Sequence, residues 1–288
     1  MLKKGRKGYL YLLPALIILG VFVFYPIITT IVGSFDETKA PVFVFGFDSY
    51  RYLFQDKRFI QSLFNTVIYA AIVPALSVII SLLIANALAN IKNEKVRGMF
   101  QSIYFLPYVT SLVAIGIVWS WLFNSEYGII NFILGKVGIS PINWLNDPKY
   151  AMIALIIFAV WKSLAFNTLI LTTGIASINP QYYQAAKIDQ ATSGTIFRKI
   201  TVKLVSPMIA YTYVISLIAA FKVYTEVYVL FGGRTLDGAV STVVRYIIDR
   251  FYGDQDFPLA FAAAVVLLIV ILTVTMVQRV VSRNKIHY

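Results

Sequence analysis

Long apolar stretches almost free of charge constrain this chain most, among them YLYLLPALIILGVFVFYPIITTIVGS at 9–34 and FPLAFAAAVVLLIVILTVTMV at 257–277. A helix crossing ~30 Å of hydrocarbon needs roughly 20 apolar residues, so runs of this length predict membrane-spanning helices. Barrel strands would alternate every second residue in segments of about 10, a pattern that is absent. Composition agrees: with 59% hydrophobic and 13% charged residues over 288 positions, the chain has too little charge to clothe a soluble domain of its size.

Spans are expected at 9–34, 64–90, 99–123, 150–175, 204–231 and 257–281, which predicts an all-α membrane protein of six transmembrane helices and a single domain over 1–288. In the loop at 35–63, Tyr50, Leu53, Phe54, Phe59, Ile60 and Leu63 recur near helical spacing and predict an interfacial amphipathic helix. Residues 124–149, with Gly128, Gly135, Gly138, Pro141 and Pro148, read as a structured outer loop, and 232–256 as a Gly-Gly and acidic loop. The opening MLKKGRKG precedes a run too long for a signal-peptide core and lacking a small-residue cleavage site, so the first helix is expected to be retained.

The net charge of +12 reports orientation here rather than nucleic-acid binding. Lys and Arg concentrate in the N-terminal segment, 91–98, 176–203 and the C-terminal tail, where Glu94 and Asp189 are the acids. Both termini are therefore expected in the cytoplasm. The absence of cysteine removes disulfides, a thiol nucleophile and thiolate metal ligation. His287 reads as a tail residue, and Gly135-Lys136 is followed by Val137, so no phosphate-cradling loop is present. An intramembrane enzyme would have no evident catalytic groups, and no cofactor is expected in this chain.

One polar segment interrupts the apolar pattern between the fourth and fifth spans: PQYYQAAKIDQATSGTIFRKITVKLVSP at 180–207. Asn179-Pro180 predicts a helix start. Tyr182, Ala185, Ala186 and Asp189 then share one face, a close-approach surface of two methyl groups and a carboxylate. Thr192-Ser193-Gly194 is expected to break the helix, with Ser193 capping a second, surface-lying helix whose apolar stripe is Ile196, Phe197, Ile200 and Leu204. By physics alone this is either a docking element or an amphipathic connector without a partner.

Residues 183–207 resemble the cytoplasmic loop of permease subunits of binding-protein-dependent ABC importers, approximately Y-E-A-A-x-x-D-G-A followed by Phe, Ile, Pro and Pro. Tyr183, Ala185, Ala186, Asp189, Ala191, Phe197, Ile200 and Pro207 match; Gln184, Gln190 and Lys203 depart from the usual Glu, Gly and first Pro. With Gln190 in place of the Gly, the turn is expected to fall to Gly194. GIINFILGKVGISPINWLNDPKYA at 128–151, Trp161-Lys162 and VYVLFGG at 227–233 resemble the carbohydrate-importing branch.

The resemblance implies a non-catalytic permease paired with a second, homologous permease, two copies of a cytoplasmic ATPase that hold ATP and Mg, and an external solute-binding protein, in a bacterial or archaeal cytoplasmic membrane. Tyr183, Gln184, Ala185, Ala186, Asp189, Gln190, Ala191 and Gly194 would couple to the ATPase. The implied cargo is a sugar, oligosaccharide or related polyol phosphate. The competing class, an ion-gradient-driven transporter half or channel, leaves the 183–207 motif unexplained.

Ionisable groups inside spans are costly, by ~2.5–3.5 kcal/mol at a helix centre on insertion scales, and need a reason. Lys162 lies near the middle of the fourth span, with Ser163 and Asn167 sharing a face that points away from it. Lys222 and Glu226 stand at i, i+4 and are expected either to neutralise each other or to line a pathway. With Trp161, Tyr213 and Tyr224 as ring faces suited to sugar C–H surfaces, these residues form the candidate pathway set: Trp161, Lys162, Asn167, Tyr213, Lys222, Tyr224 and Glu226. Packing against neighbouring helices is the competing role for each.

Overall fold

The computed structural model describes residues 3–38, 42–91 and 93–283; His287 lies outside them. The elements in chain order are α1 (Lys3–Leu19), a π-helical turn Gly20–Phe24, α2 (Tyr25–Gly33), α3 (Asp48–Gln55), α4 (Lys57–Ala89), α5 (Glu94–Val109), α6 (Leu112–Leu122) and α7 (Ile129–Lys136). There follow α8 (Pro148–Ala176), α9 (Pro180–Ile188), α10 (Ser193–Leu204), α11 (Ser206–Phe221), α12 (Thr225–Phe231), α13 (Val243–Ile248) and α14 (Phe257–Arg283). Among the described residues four helices, counting the continuous run Tyr11–Gly33 as one, are long and apolar enough to cross a membrane, or up to six if each of two bent pairs is one span.

Those bent pairs correct two expected spans. The stretch at 99–123 is not one rod: α5 and α6 meet at 102°. Thr110 and Ser111 are extended, with ψ 148° and 127°, three residues beyond Pro107, which has no N–H to give the helix ladder. At 204–231, α10 and α11 meet at 68°, with Pro207 in the first turn of α11. The helix ends again at Phe221, where Lys222 (ψ 15°) and Tyr224 (φ −147°) leave helical geometry before α12 begins. The other long helices match their expected ranges, except that α4 starts at Lys57 rather than 64. Asp56 separates it from α3, its carboxylate accepting the Arg58 amide at 2.9 Å. Hence Phe59, Ile60 and Leu63 belong to a span and not to an interfacial helix.

Two units pack separately, one formed by residues 1–61 and 243–270, the other by 62–242 and 271–288. In the first, Leu53 and Phe59 are fully buried, and the Phe59 ring meets Tyr246 edge-on at 5.4 Å. The Tyr246 hydroxyl and the Arg250 Nη2 each donate to Asp56 Oδ2 at 2.7 Å, while Arg250 Nη1 reaches Asp254 at 2.7 Å. Burial pushes the Asp56 carboxyl up, but Tyr246, the Arg58 amide and Arg250 together hold it below the usual carboxylate range. Gly33 is required: a Cβ there would lie 2.6 Å from the Phe261 ring of α14. The expected acidic loop at 232–256 is partly helical, since α13 and a π turn Asp249–Gly253 carry the Asp56 partner Arg250.

In the second unit α8 packs against α5, α11 and α12. Its buried Ala151, Ala154, Ala159, Ala165 and Gly174 let neighbouring backbones approach, the usual basis of helix association where lipid supplies no hydrophobic drive. Close approach also joins α6 to α12, where a Cβ on Gly116 would meet Val229 at 2.2 Å. The loop at 124–149 is organised by buried Asn131. Its amide donates to the Asn124, Ser125 and Ile142 carbonyls, and its oxygen accepts from the Ile142 N–H and from Trp144 Nε1 at 2.9 Å.

Candidate functional site

Two places carry chemistry that packing alone does not require. The first is α9. Asn179 caps it by accepting the Gln181 amide at 3.0 Å, and Pro180 occupies the first turn. Its faces are sharply unequal. Tyr183 packs against the buried cluster Ala85, Leu171, Ile175, Ile178 and Val205 and shares a hydrogen bond with Thr201 at 3.2 Å, while Ala186 is only 7% exposed. Gln181, Tyr182, Gln184, Ala185, Ile188 and Asp189 face outward, Ile188 at 82% exposure. The expected face is thus divided: Tyr182, Ala185 and Asp189 point out, and Ala186, three residues on from Tyr183 and so on its side of the helix, is buried.

The turn after α9 corrects a second expectation. Gln190, not Gly194, adopts the left-handed conformation (φ 54°). Its N–H reaches the Lys187 carbonyl at 3.1 Å and the Ala191 N–H reaches the Ala186 carbonyl at 2.9 Å, the paired bonds of a Schellman termination. The position is therefore the one where a glycine suits the backbone, and Gln occupies it. Gly194 lies inside α10, whose capping side chain is Thr192 rather than Ser193. Beneath α9 lies a cavity of about 720 Å³ whose walls include Asn86, Asn90, Arg97, Gln101, Tyr183 and Lys187.

The second place is a cavity of about 240 Å³ among α4, α5, α8, α11 and α12, into which Lys162, Ser163, Asn167, Ser216 and Glu226 bring polar groups. Lys162 Nζ lies 2.7 Å from Glu226 Oε1, with side chains 34% and 17% exposed. This overturns the expected Lys222–Glu226 pair. The chain breaks between them, so no helical i, i+4 geometry exists, and Lys222 is exposed while Glu226 turns toward α8.

Asn167, expected to point away from Lys162, lines the same cavity. Its amide donates to Ser77 at 3.2 Å and its oxygen accepts from Ser216 at 3.1 Å. Ser163 instead bonds the Ala159 carbonyl of its own helix.

Among the candidate aromatics, the Trp161 ring lies tilted against Trp119 at 5.2 Å along a different, apolar cavity, and Tyr224 lies tilted against Tyr228 at 5.9 Å. Tyr213 is half-buried on α11. The rings lining the polar cavity are Tyr69, Tyr108 and Phe166, the last two stacked at 5.7 Å. Sequence reasoning missed Tyr69, Tyr108 and Ser216 as cavity residues. Each is an ordinary residue of an apolar helix, and only the α5–α6 bend and the packing of α11 on α8 bring them together.

The polar cavity thus lies amid candidate spanning helices, and α9 exposes one face beside a basic segment. Residues 77–286 match the family of the binding-protein-dependent transport system inner membrane component. The chain belongs to that family. This permease is 31% identical to the trehalose/maltose transport system permease protein MalF of Thermococcus litoralis, over 98% of this chain and 96% of that one. It is also 31% identical to the arabinooligosaccharides transport system permease protein AraP of Bacillus subtilis, over 96% and 88%. Its backbone is similar to a chain in the crystal structure of a bacterial ABC transporter involved in the import of the acidic polysaccharide alginate, with a TM-score of 0.86 and 26% identity, covering 98% of this chain and 96% of that chain. A second structure of that transporter, in complex with alginate pentasaccharide-bound periplasmic protein, matches with the same TM-score at 25% identity.

Proposed function

We propose that the permease, acting as one membrane domain with both termini in the cytoplasm, imports a sugar, oligosaccharide or related polyol phosphate across a bacterial or archaeal cytoplasmic membrane. It works with a second homologous permease, two copies of a cytoplasmic ATPase and an external solute-binding protein. ATP and Mg belong to the ATPase, and this chain catalyses nothing. The carbohydrate names of the relatives support the cargo class.

The observation that carries the reading is the two-sided build of α9. An exposed face of Gln181, Tyr182, Gln184, Ala185, Ile188 and Asp189 is free to seat in a partner's groove, while Tyr183 and Ala186 lock the helix to the body. Gln190 and Ala191 fix where it ends, and Gly194 sits in the first turn of the helix that leads into α11. A push on α9 is then delivered to α8 and α10 through Tyr183, since packed interfaces switch between discrete arrangements rather than deform continuously. Lys162, Asn167 and Glu226 are the pathway groups, with Trp161, Tyr213, Lys222 and Tyr224 bordering the route.

Co-purification with mass spectrometry of the bound chains tests the assembly. An ATPase and a second permease are expected, and recovery of neither overturns the reading. In the reconstituted complex Asp189→Arg should lose coupled uptake while still inserting into the membrane. Uptake that persists without ATP would instead favour an ion-gradient transporter.

A further inference from the structure

The proposed cargo class joins neutral sugars to anionic ones, and the polar cavity distinguishes them. We infer that the cavity at the Lys162–Glu226 pair selects an uncharged glycan and rejects phosphorylated or uronic acid sugars. The inference rests on the importer reading and narrows it.

An anionic sugar crossing this cavity needs a cation free to make charge-assisted hydrogen bonds. Of the residues lining this cavity, Lys162 is the cation, and its Nζ is already 2.7 Å from Glu226. To serve an incoming carboxylate or phosphate it would have to leave Glu226, whose side chain is 17% exposed, without its partner, at a cost that grows with that burial. The carboxylate of Glu226 would also repel the anion. Both groups keep hydrogen-bonding capacity for a neutral partner: an ammonium has three donors and a carboxylate four acceptor sites, and the pair uses one of each. A sugar hydroxyl can accept from the first and donate to the second at once, with no charge to balance.

The remaining lining fits the same ligand. Asn167 is held by Ser77 and Ser216, which fixes the polar wall in place, and its neutral amide offers no charge to an anion. Tyr108 and Phe166, stacked at 5.7 Å, present ring surface for the apolar face of a pyranose or furanose. The volume of about 240 Å³ is small, so a longer glycan would pass one or a few residues at a time.

The test uses the complete complex, purified with its own partner chains, reconstituted in proteoliposomes and supplied with ATP inside. The external probe is a mixed hydrolysate containing equimolar neutral oligosaccharides and oligogalacturonates together with glycerol 3-phosphate. Mass spectrometry of the vesicle contents gives the neutral-to-anionic uptake ratio. Wild type should accumulate neutral glycans with a ratio above tenfold, and Glu226→Gln, which frees Lys162, should lower that ratio at least tenfold. A wild-type ratio at or below one, or a ratio unmoved by Glu226→Gln, overturns the inference while leaving the importer reading intact. Loss of ATP dependence would fail that earlier reading instead.

Should Glu226→Gln not assemble, the double variant Lys162→Gln/Glu226→Gln removes both charges together. It should keep the neutral preference that Lys162→Gln also keeps, and acceptance of anions by Lys162→Gln would overturn the assignment of the pair.

Discussion

Ala185 and Ala186 are neighbours of equal size on one short helix, yet they face opposite environments, and their substitutions should separate docking from folding. Ala185→Trp should uncouple ATP hydrolysis from uptake with an unchanged melting temperature. Ala186→Trp drives a large ring into a buried position, where overpacking costs about 1–3 kcal/mol, and should lower the melting temperature before it affects coupling. A thermal-shift assay on both variants decides between them. Gln190 carries a φ of 54°, a conformation that costs most L-residues ~1–2 kcal/mol. Gln190→Gly should therefore be tolerated or mildly stabilising and Gln190→Val destabilising by about 1–2 kcal/mol, because a β-branched side chain fits that region least.

The sequence motif marked this position as a departure, but the backbone kept the glycine geometry. That could not be read from the letters, since helix termination depends on which carbonyls are left free. Asp56 belongs to the same scale. Its carboxyl is held below the usual range in the folded chain, so the stability it adds is present above the unfolded value near 3.9 and is lost as pH falls through the lowered folded value. Melting followed below about pH 5 should show this acid limb shrink in Asp56→Asn, whose stability is lower at neutral pH.

Among the elements, the loop at 124–149 was legible as structured from its glycines and prolines, but its organiser was not. Nothing in the local sequence singles out Asn131, yet five hydrogen bonds converge on its amide. Asn131→Ala leaves the buried Trp144 indole and several carbonyls without partners, a loss of about 1–3 kcal/mol. Hydrogen exchange across 124–146 should accelerate in this variant while α8 stays protected. The bent spans follow the same logic. Pro107 and Pro207 stand beside the two breaks, but a proline alone does not set the angles of 102° and 68°, since the second span runs unbroken through Pro74. The break at Lys222–Tyr224 had no proline to mark it, and missing it misassigned the partner of Glu226.

For the molecule as a whole, orientation is testable because the chain contains no cysteine, so single introduced thiols report on a clean background. Ala185→Cys should react with a membrane-impermeant maleimide only in inside-out vesicles, and Gly135→Cys only in right-side-out cells. The reverse pattern would invert the topology. The sequence by itself determined the class of protein, where the long apolar stretches lie, where the basic residues cluster and where the polar segment interrupts the apolar pattern. Each of these is written in local composition, because apolar length, basic clusters and helix caps act over a few turns. Only the tertiary structure decided that Ala186 faces inward, that Glu226 belongs to Lys162 at 2.7 Å and that Tyr69, Tyr108 and Ser216 share a cavity with them. Those facts join residues tens of positions apart on helices whose rotation is fixed by mutual packing, and no local pattern encodes that rotation.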